Sequence, residues 1–231
     1  MNEVPFFYFP TLKDATGAVN MDDEMRRHVV TVLRMEVGEK IMLMDGKGTV
    51  AEAFIEEANK KILRVQLGNK IFHPAPETKT ILAISLLKNP SRFEWMLEKV
   101  TEIGITEIIP IIAERTERIH FRIERMQQIL VSASIQSKQY WMPTLHSPQK
   151  LKDVVEGAKS THKFIAHCID DKKNPLVKQE EDALLLVGPE GDFTSTEISH
   201  AIEHGFIAVT LGESRLRTET AGIVGAVLIK I

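Results

Sequence analysis

Cysteine is almost absent from these 231 residues, with Cys168 standing alone. One thiol excludes an intramolecular disulfide framework and any multi-cysteine zinc site, and it fits a reducing compartment. Long apolar runs are missing as well, and none approaches the ~20 residues needed to span a bilayer. The opening stretch MNEVPFFYFP has no basic segment and carries an early proline, so no secretory signal is expected there. Charge of one sign is not in excess either. The net charge of −3 carries no global mark of nucleic-acid binding, although a local basic patch can exist within that total. What the chain does have is 43% apolar residues, enough for one large core or two smaller ones. These features predict a soluble, cytoplasmic protein with no metal site.

The first 73 residues read as short strands around one helix. Residues 4–9 are an aromatic-rich strand candidate. Asn20 to Met35 has helical character, with Asn20 in the capping position, acidic Asp22, Asp23 and Glu24 in the first turn and Gly38 beyond the end. Lys40 to Met44 alternates in the β manner into the turn Asp45-Gly46-Lys47-Gly48. Thr49 to Ile55, Lys61 to Leu67 and Ile71 to His73 continue the rhythm. Such a run predicts a compact β-barrel. His73-Pro74-Ala75-Pro76-Glu77-Thr78 breaks the pattern with two prolines, so the boundary is expected between a domain at 1–73 and another at 74–231.

Beyond the boundary, strands alternate with helices, which means a parallel α/β sheet. Thr80–Leu87, Glu107–Ile112, Lys163–Cys168, Ala183–Val187 and Ile207–Leu211 are the strand candidates. Helices are expected after Asn89-Pro90, over Ile119 to about Gln139, over Pro148–Gly157, after the capping box Thr194–Glu197, and from Thr218 to the end.

Two glycine-bearing loops stand out, each following an apolar strand. Gly188-Pro189-Glu190-Gly191-Asp192-Phe193 comes after the first, and Leu211-Gly212-Glu213-Ser214-Arg215-Leu216-Arg217-Thr218-Glu219-Thr220-Ala221 contains the second. Parallel strands place both at the carboxyl edge of one sheet, where open α/β sheets bind ligands. The pair resembles the cofactor loops of the SPOUT methyltransferases, and more narrowly the bacterial enzymes that methylate N3 of a uridine in small-subunit ribosomal RNA. The likeness extends to His28–Arg34, Lys88 with Arg92, Lys99–Gly104, Glu114–Arg118 and Gln136-Ser137. Gln139 and Phe6-Phe7 depart from the family's pattern, which usually has arginine there.

This resemblance implies an N-terminal PUA-like RNA-binding barrel and a C-terminal domain threaded as a trefoil knot. It also implies S-adenosylmethionine as cofactor, 16S ribosomal RNA or the small ribosomal subunit as partner, and a homodimer. Cofactor contacts are expected from Val187, Gly188, Pro189, Glu190, Gly191, Leu211, Gly212, Ser214, Leu216, Arg217, Thr220 and Ala221. Arg217 suits stabilisation of a uracil anion, since guanidinium stays charged and donates in a fork; the alternative is a structural ion pair to Glu190 or Glu219. Glu190 reads equally as the proton acceptor or as a cap on backbone donors of its own loop. Asp192 is expected to complement the next helix's N-terminus, and His167 either lines the pocket or is simply packed. RNA contacts are expected from His28, Arg34, Lys88, Arg92, Arg115 and Arg118, with a solvated mixed-charge surface as the rival for the basic residues beyond 80. The last helix is apolar almost all round, so it must be buried, either within one subunit or between two. Rival readings are another SPOUT RNA methyltransferase, acting on ribose 2′-O or a tRNA base, and a non-catalytic RNA-binding module. A nucleotide-binding oxidoreductase is disfavoured because no GxGxxG follows the first strand.

Overall fold

A computed structural model describes residues 4–169 and 172–231, which divide into two compact units. The first runs to Ala75 and takes in Ser134–Met142; the second holds Pro76–Ala133 and Pro143–Ile231.

In the first unit, β1 (Phe6–Tyr8) and β2 (Ala18–Asn20) precede helix α1 (Asp23–Arg26), which continues as a π-helix over Arg27–Val32. Strands β3 (Lys40–Met44), β4 (Thr49–Ala58) and β5 (Leu63–Phe72) follow, and the sheet order is β1-β3-β4-β5-β2. Two register shifts between β4 and β5, at Ala51/Ala53 and Ile55/Glu57, bend this ten-residue pair as bulges do. Ile41, Leu43, Ala53, Ile55 and Val65 point inward, and Met25 and Val29 close over them from the helical segment. That segment corrects the sequence reading. Asn20 ends β2, and the cap is Asp22, whose carboxylate accepts from Met25 N at 2.8 Å. Helical character stops at Val32, and Arg34 takes a left-handed φ of 55°. Ile71 and Phe72 finish β5 instead of forming a further strand.

Ser134–Met142 joins this unit through specific bonds that periodicity does not reveal. Met142 N donates to Gly46 O at 2.9 Å, Gly48 N to Tyr140 O at 2.9 Å, and Trp141 Nε1 to His73 O at 2.9 Å. Tyr140 also stacks on His73, with ring centroids 4.2 Å apart.

The second unit is a sheet with parallel pairing throughout. Its elements are β6 (Thr80–Ser85), α2 (Pro90–Ile103), β7 (Glu107–Ile112), α3 (Ile123–Ser137, whose last residues belong to the first unit), β8 (Thr144–Leu145), β9 (Gln149–Lys150), α4 (Leu151–Gly157), β10 (His162–Ala166), β11 (Asn174–Pro175), β12 (Ala183–Val187), α5 (Ser195–Glu203), β13 (Ile207–Thr210) and α6 (Thr218–Lys230). The order is β11-β13-β10-β12-β6-β7-β8, with β9 also paired to β7. All five residues of β12 are buried, as a central strand between β10 and β6 requires. By contrast β13 is not the fully buried strand expected: it lies toward the edge, Ile207 is 53% exposed and only Val209 is buried. The expected Ile119 start of α3 falls four residues early.

Helix α6 packs on α2, β6 and β12 through its small residues. A Cβ on Gly222 would stand 2.6 Å from Ile84 Cδ1, and one on Gly225 would stand 2.3 Å from Leu185 Cδ2. Only glycine lets the helix lie this close to the sheet, and that contact fixes where its first turn begins.

At the opposite edge, Glu107 opens β7 and accepts from Lys79 Nζ at 2.9 Å and His146 Nε2 at 3.1 Å. Burial pushes its carboxyl up, but these two partners outweigh that and hold it below the ordinary carboxylate value. A depressed folded-state pKa favours the native state above the unfolded carboxylate value, and the advantage fades as pH falls through the folded one. Glu107→Gln should therefore cost about 1 kcal/mol near neutrality, a small figure because Lys79 is exposed. Urea denaturation of both proteins should show the gap closing toward pH 3.

Candidate active site

Four sheet-edge loops meet in the second unit, those after β6, β10, β12 and β13. Parallel strands deliver all four to the carboxyl edge, and a cavity of about 940 Å³ lies among the last three, with the loop after β6 bonded to the β12 loop beside it. Val187, Gly188, Pro189 and Glu190 line it from one loop, and the run from Val209 to Glu219 lines it from another. Ala166, His167 and Cys168 contribute from the end of β10, Arg92 from α2 and Ala221 from α6. Of the expected cofactor residues, Gly191 and Thr220 lie outside this lining.

Hydrogen bonds between loops set the shape. Asp192 sits at a left-handed φ of 62°, a conformation natural to glycine and tolerated by Asp. Its carboxylate accepts from Cys168 N and from Phe193 N, each at 2.8 Å, which ties the β10 loop to the β12 loop. It sits two residues before the N-cap of α5, near the helix N-terminus it was expected to complement, but it is not the cap. Thr194 is, in a full capping box with Glu197, and Glu197 also accepts from Glu114 N at 2.8 Å. Glu190 accepts from Lys88 N at 3.1 Å, so the backbone donor it caps belongs to the loop after β6 and not to its own.

Glycine matters at two points. A Cβ on Gly188 would meet Phe193 at 3.1–3.3 Å, so the turn closes tightly under the cavity. Gly212 has φ +137°, where L-residues are strained, and its missing side chain leaves open space. Thr210 Oγ1 binds both the Gly212 carbonyl (2.8 Å) and its N–H (3.2 Å), a latch that the glycine motif does not announce. Gly191 turns the other way. Its carbonyl accepts from Arg115 at 2.7 Å, and a Cβ there would touch Arg115 at an ordinary 3.4 Å.

The charged residues sort by partner. Arg217 is exposed at the N-cap of α6, and among the described residues it pairs with neither Glu190 nor Glu219. Glu219 is buried; Arg92 approaches one of its oxygens at 3.6 Å, and the other has no hydrogen-bond partner among the described residues. The sequence reading missed Glu219 as a cavity residue, although its place two residues after Arg217, at the start of a buried helix, was a usable signal. Lys88 pairs with Glu117 at 2.8 Å, which raises the lysine's pKa. Lys88 and Arg92 thus have acidic partners and Arg115 a backbone one, and all three stay exposed or half-exposed, so their expected RNA contacts remain part of the proposal below. Arg118 is exposed without a partner among the described residues. In the first unit, exposed His28 meets Phe7 edge-on at 5.7 Å, and Arg34 is exposed beyond the π-helix.

The cavity falls in the size range of small-molecule sites, with apolar walls and a few convergent polar groups. Leu211, Leu216 and Val187 offer apolar surface for a purine, and the side-chain-free position at Gly212 admits close backbone approach. These residues fit S-adenosylmethionine.

Comparison with known proteins agrees with this geometry. Residues 74–230 match the family model described as an RNA methyltransferase domain, and residues 22–68 match an RNA methyltransferase PUA domain. The chain belongs to this RNA methyltransferase family. It is 32% identical over 218 residues to "Ribosomal RNA small subunit methyltransferase E" of Synechocystis sp., covering 89% of this chain and 70% of that one. A probable rRNA-methyltransferase from Porphyromonas gingivalis superposes with TM-score 0.89 at 34% identity, over 96% of this chain and 95% of that one. The Ribosomal RNA small subunit methyltransferase E of Neisseria gonorrhoeae, solved bound to S-adenosyl methionine, gives 0.82 at 31% identity over 97% and 95%. No helix among the described residues is long and apolar enough to cross a membrane.

Proposed function

We propose that this methyltransferase transfers a methyl group from S-adenosylmethionine to N3 of a uridine in 16S ribosomal RNA, in the cytoplasm and as a homodimer. One observation carries the reading: loops from three parallel strands line a single cavity whose lining includes the Arg217 guanidinium, which has no ion-pair partner among the described residues. When bound, S-adenosylmethionine supplies an electrophilic methyl group on a sulfonium. The protein's own tasks are to hold the base in line and to stabilise the negative charge that uracil gains as N3 loses its proton. Arg217 takes the second task, and Glu190 is proposed as the proton acceptor. The knotted threading implied by the family resemblance belongs to the same proposal. So does a division of labour in which the domain expected at 1–73 holds RNA and the domain at 74–231 holds the cofactor.

His28 and Arg34 are proposed to contact RNA from the first unit, and Lys88, Arg92, Arg115 and Arg118 from the second. Support comes from the backbone: a π-helical segment is followed, past its cap Leu33, by Arg34 in a left-handed conformation, and such unusual backbone gathers at functional positions. The test of the whole reading is a methylation assay on isolated small subunits and on naked 16S RNA, with the product nucleoside mapped. A single N3-methyluridine is expected. Methylation of a ribose 2′-oxygen or of tRNA would reassign the enzyme within its family.

The homodimer rests on α6. Beyond its first turn the buried face is Gly222, Gly225, Ala226 and Ile229, while Ile223, Val224 and Leu228 stay half-buried and Val227 and the C-cap Ile231 are exposed. Residues at this spacing form one continuous apolar stripe, the sort of surface that a two-fold contact covers. Light scattering at micromolar concentration should give twice the chain mass of 26.1 kDa, and a stable particle of single-chain mass would sink the dimer.

A further inference from the structure

Helices α4 and α5 bring together three side chains that the methyltransferase reading does not use. His200 lies in α5, His204 caps its C-terminus, and Glu156 stands near the end of α4. One ring nitrogen from each histidine and one carboxylate oxygen of Glu156 lie within 4.8 Å of one another. Two histidines four residues apart share a helix face, a spacing that suits joint coordination of one ion.

Three details favour an ion over a simple surface ion pair. First, His204 Nδ1 is 2.8 Å from the His200 carbonyl, which can only accept. The proton is therefore on Nδ1 and the lone pair on Nε2, the kind of backbone bond that sets a ligand histidine's tautomer. Second, His200 Nε2 is buried and lacks a hydrogen-bond partner among the described residues. An orphaned ring nitrogen under the surface is costly unless something fills it. Third, that nitrogen stands 3.5 Å from Glu156 Oε1, long for a hydrogen bond. It is close to the roughly 3.4 Å edge of a tetrahedron with metal–ligand bonds of about 2.1 Å. The support is also firm, since Lys163 Nζ donates to the His204 carbonyl at 2.5 Å and holds the helix end. The charge of that lysine opposes a dication and limits the affinity.

We propose that Glu156, His200 and His204 bind one divalent ion of the zinc class, with water in the fourth position. Two imidazoles and a carboxylate suit Zn²⁺, Ni²⁺ or Cu²⁺ and not Mg²⁺ or Ca²⁺, which take oxygen ligands. The ion would tie the end of α4 to the end of α5. Sequence reading, which expected no metal site, missed it because Glu156 and the histidines are separated by three strands, β10, β11 and β12, and meet only in the fold.

The experiment is calorimetric titration of the full chain, freed of any affinity tag, with ZnCl₂. One Zn²⁺ per chain is expected at roughly micromolar affinity, since three ligands and an open position fall short of a closed four-ligand site. His204→Asn retains an amide donor for the His200 carbonyl but lacks the Nε2 lone pair, and Glu156→Gln removes the anionic ligand. Each should weaken binding at least about tenfold and abolish the rise in Tm that Zn²⁺ gives the parent chain, while the methyl-transfer rate stays unchanged. No heat of binding up to about 1 mM Zn²⁺, or binding that survives both substitutions at its original strength, would overturn the assignment.

Discussion

Arg217→Ala is expected to slow single-turnover methyl transfer by about a hundredfold or more, the loss that follows removal of a preorganised charge stabiliser. Among the described residues its guanidinium has no ion-pair partner, while neighbouring Glu219 is approached by Arg92. An unpaired cation at a cavity rim keeps its donors available for a developing anion, and the helix N-terminus beside it adds to the positive potential. RNA affinity should change little, whereas Arg34→Ala should weaken RNA binding and make log affinity about one unit less steep in log salt. Glu190→Gln separates the two readings of that residue. The amide still accepts from Lys88 N, so loop geometry survives and only basicity is lost. A rate fall of about tenfold or more would mark Glu190 as the base, since general-base catalysis contributes at least this much; an unchanged rate would turn attention to the unpartnered oxygen of Glu219. If Arg217→Ala kept its full rate with saturating cofactor, Arg217 would be a structural residue.

The double substitution Gly222→Ala/Gly225→Ala should destabilise the protein by about 2–4 kcal/mol and lower Tm by roughly 4–15 °C. Alanine alone would favour a helix by about 1 kcal/mol per site, so intrinsic propensity predicts the opposite sign. Packing wins because the new methyl groups would overlap Ile84 and Leu185, both fully buried, at 2.6 and 2.3 Å. Gly157→Ala, with nothing within 4 Å, serves as the control and should be neutral or slightly stabilising. A thermal melt showing both changes equally harmless would refute the close-packed seat of α6. Cofactor affinity should also fall in the double variant, because α6 carries Thr218, Glu219 and Ala221 into the cavity wall.

Local signals made much of the fold legible. Ala183–Val187 and Glu107–Ile112 match the observed strands end to end, because a short apolar run bounded by polar residues has few other solutions. The Thr194 capping box and the Asn89-Pro90 helix start also stand where local chemistry put them. Asn20 misled because Asp22 competes for the same role two residues later, and β2 claims Asn20 by pairing with Arg64. Ser134–Met142 joins the first unit through bonds to Gly46, Gly48 and His73, partners no periodicity could name. In the candidate site the loops were legible and the wiring was not. Asp192 reaches back to Cys168, Glu190 to Lys88 and Arg115 to Gly191, and each link depends on which strands are neighbours.

The place of β12 between β10 and β6 has a temporal consequence. Lys79 N and the Asp182 carboxylate, which bond at the start of this pair, are 103 residues apart. During synthesis at about 5–20 residues per second, β6 would present one unpaired edge for roughly 5–20 s before β12 could occupy it. Parallel pairing across such a span is slow to nucleate, since loop closure precedes any reward from contact. The nascent second unit would thus spend its most vulnerable interval as an open sheet carrying half a cavity. Conditions or chaperones that shield a bare strand edge should then raise the yield of this chain more than any improvement in its finished core.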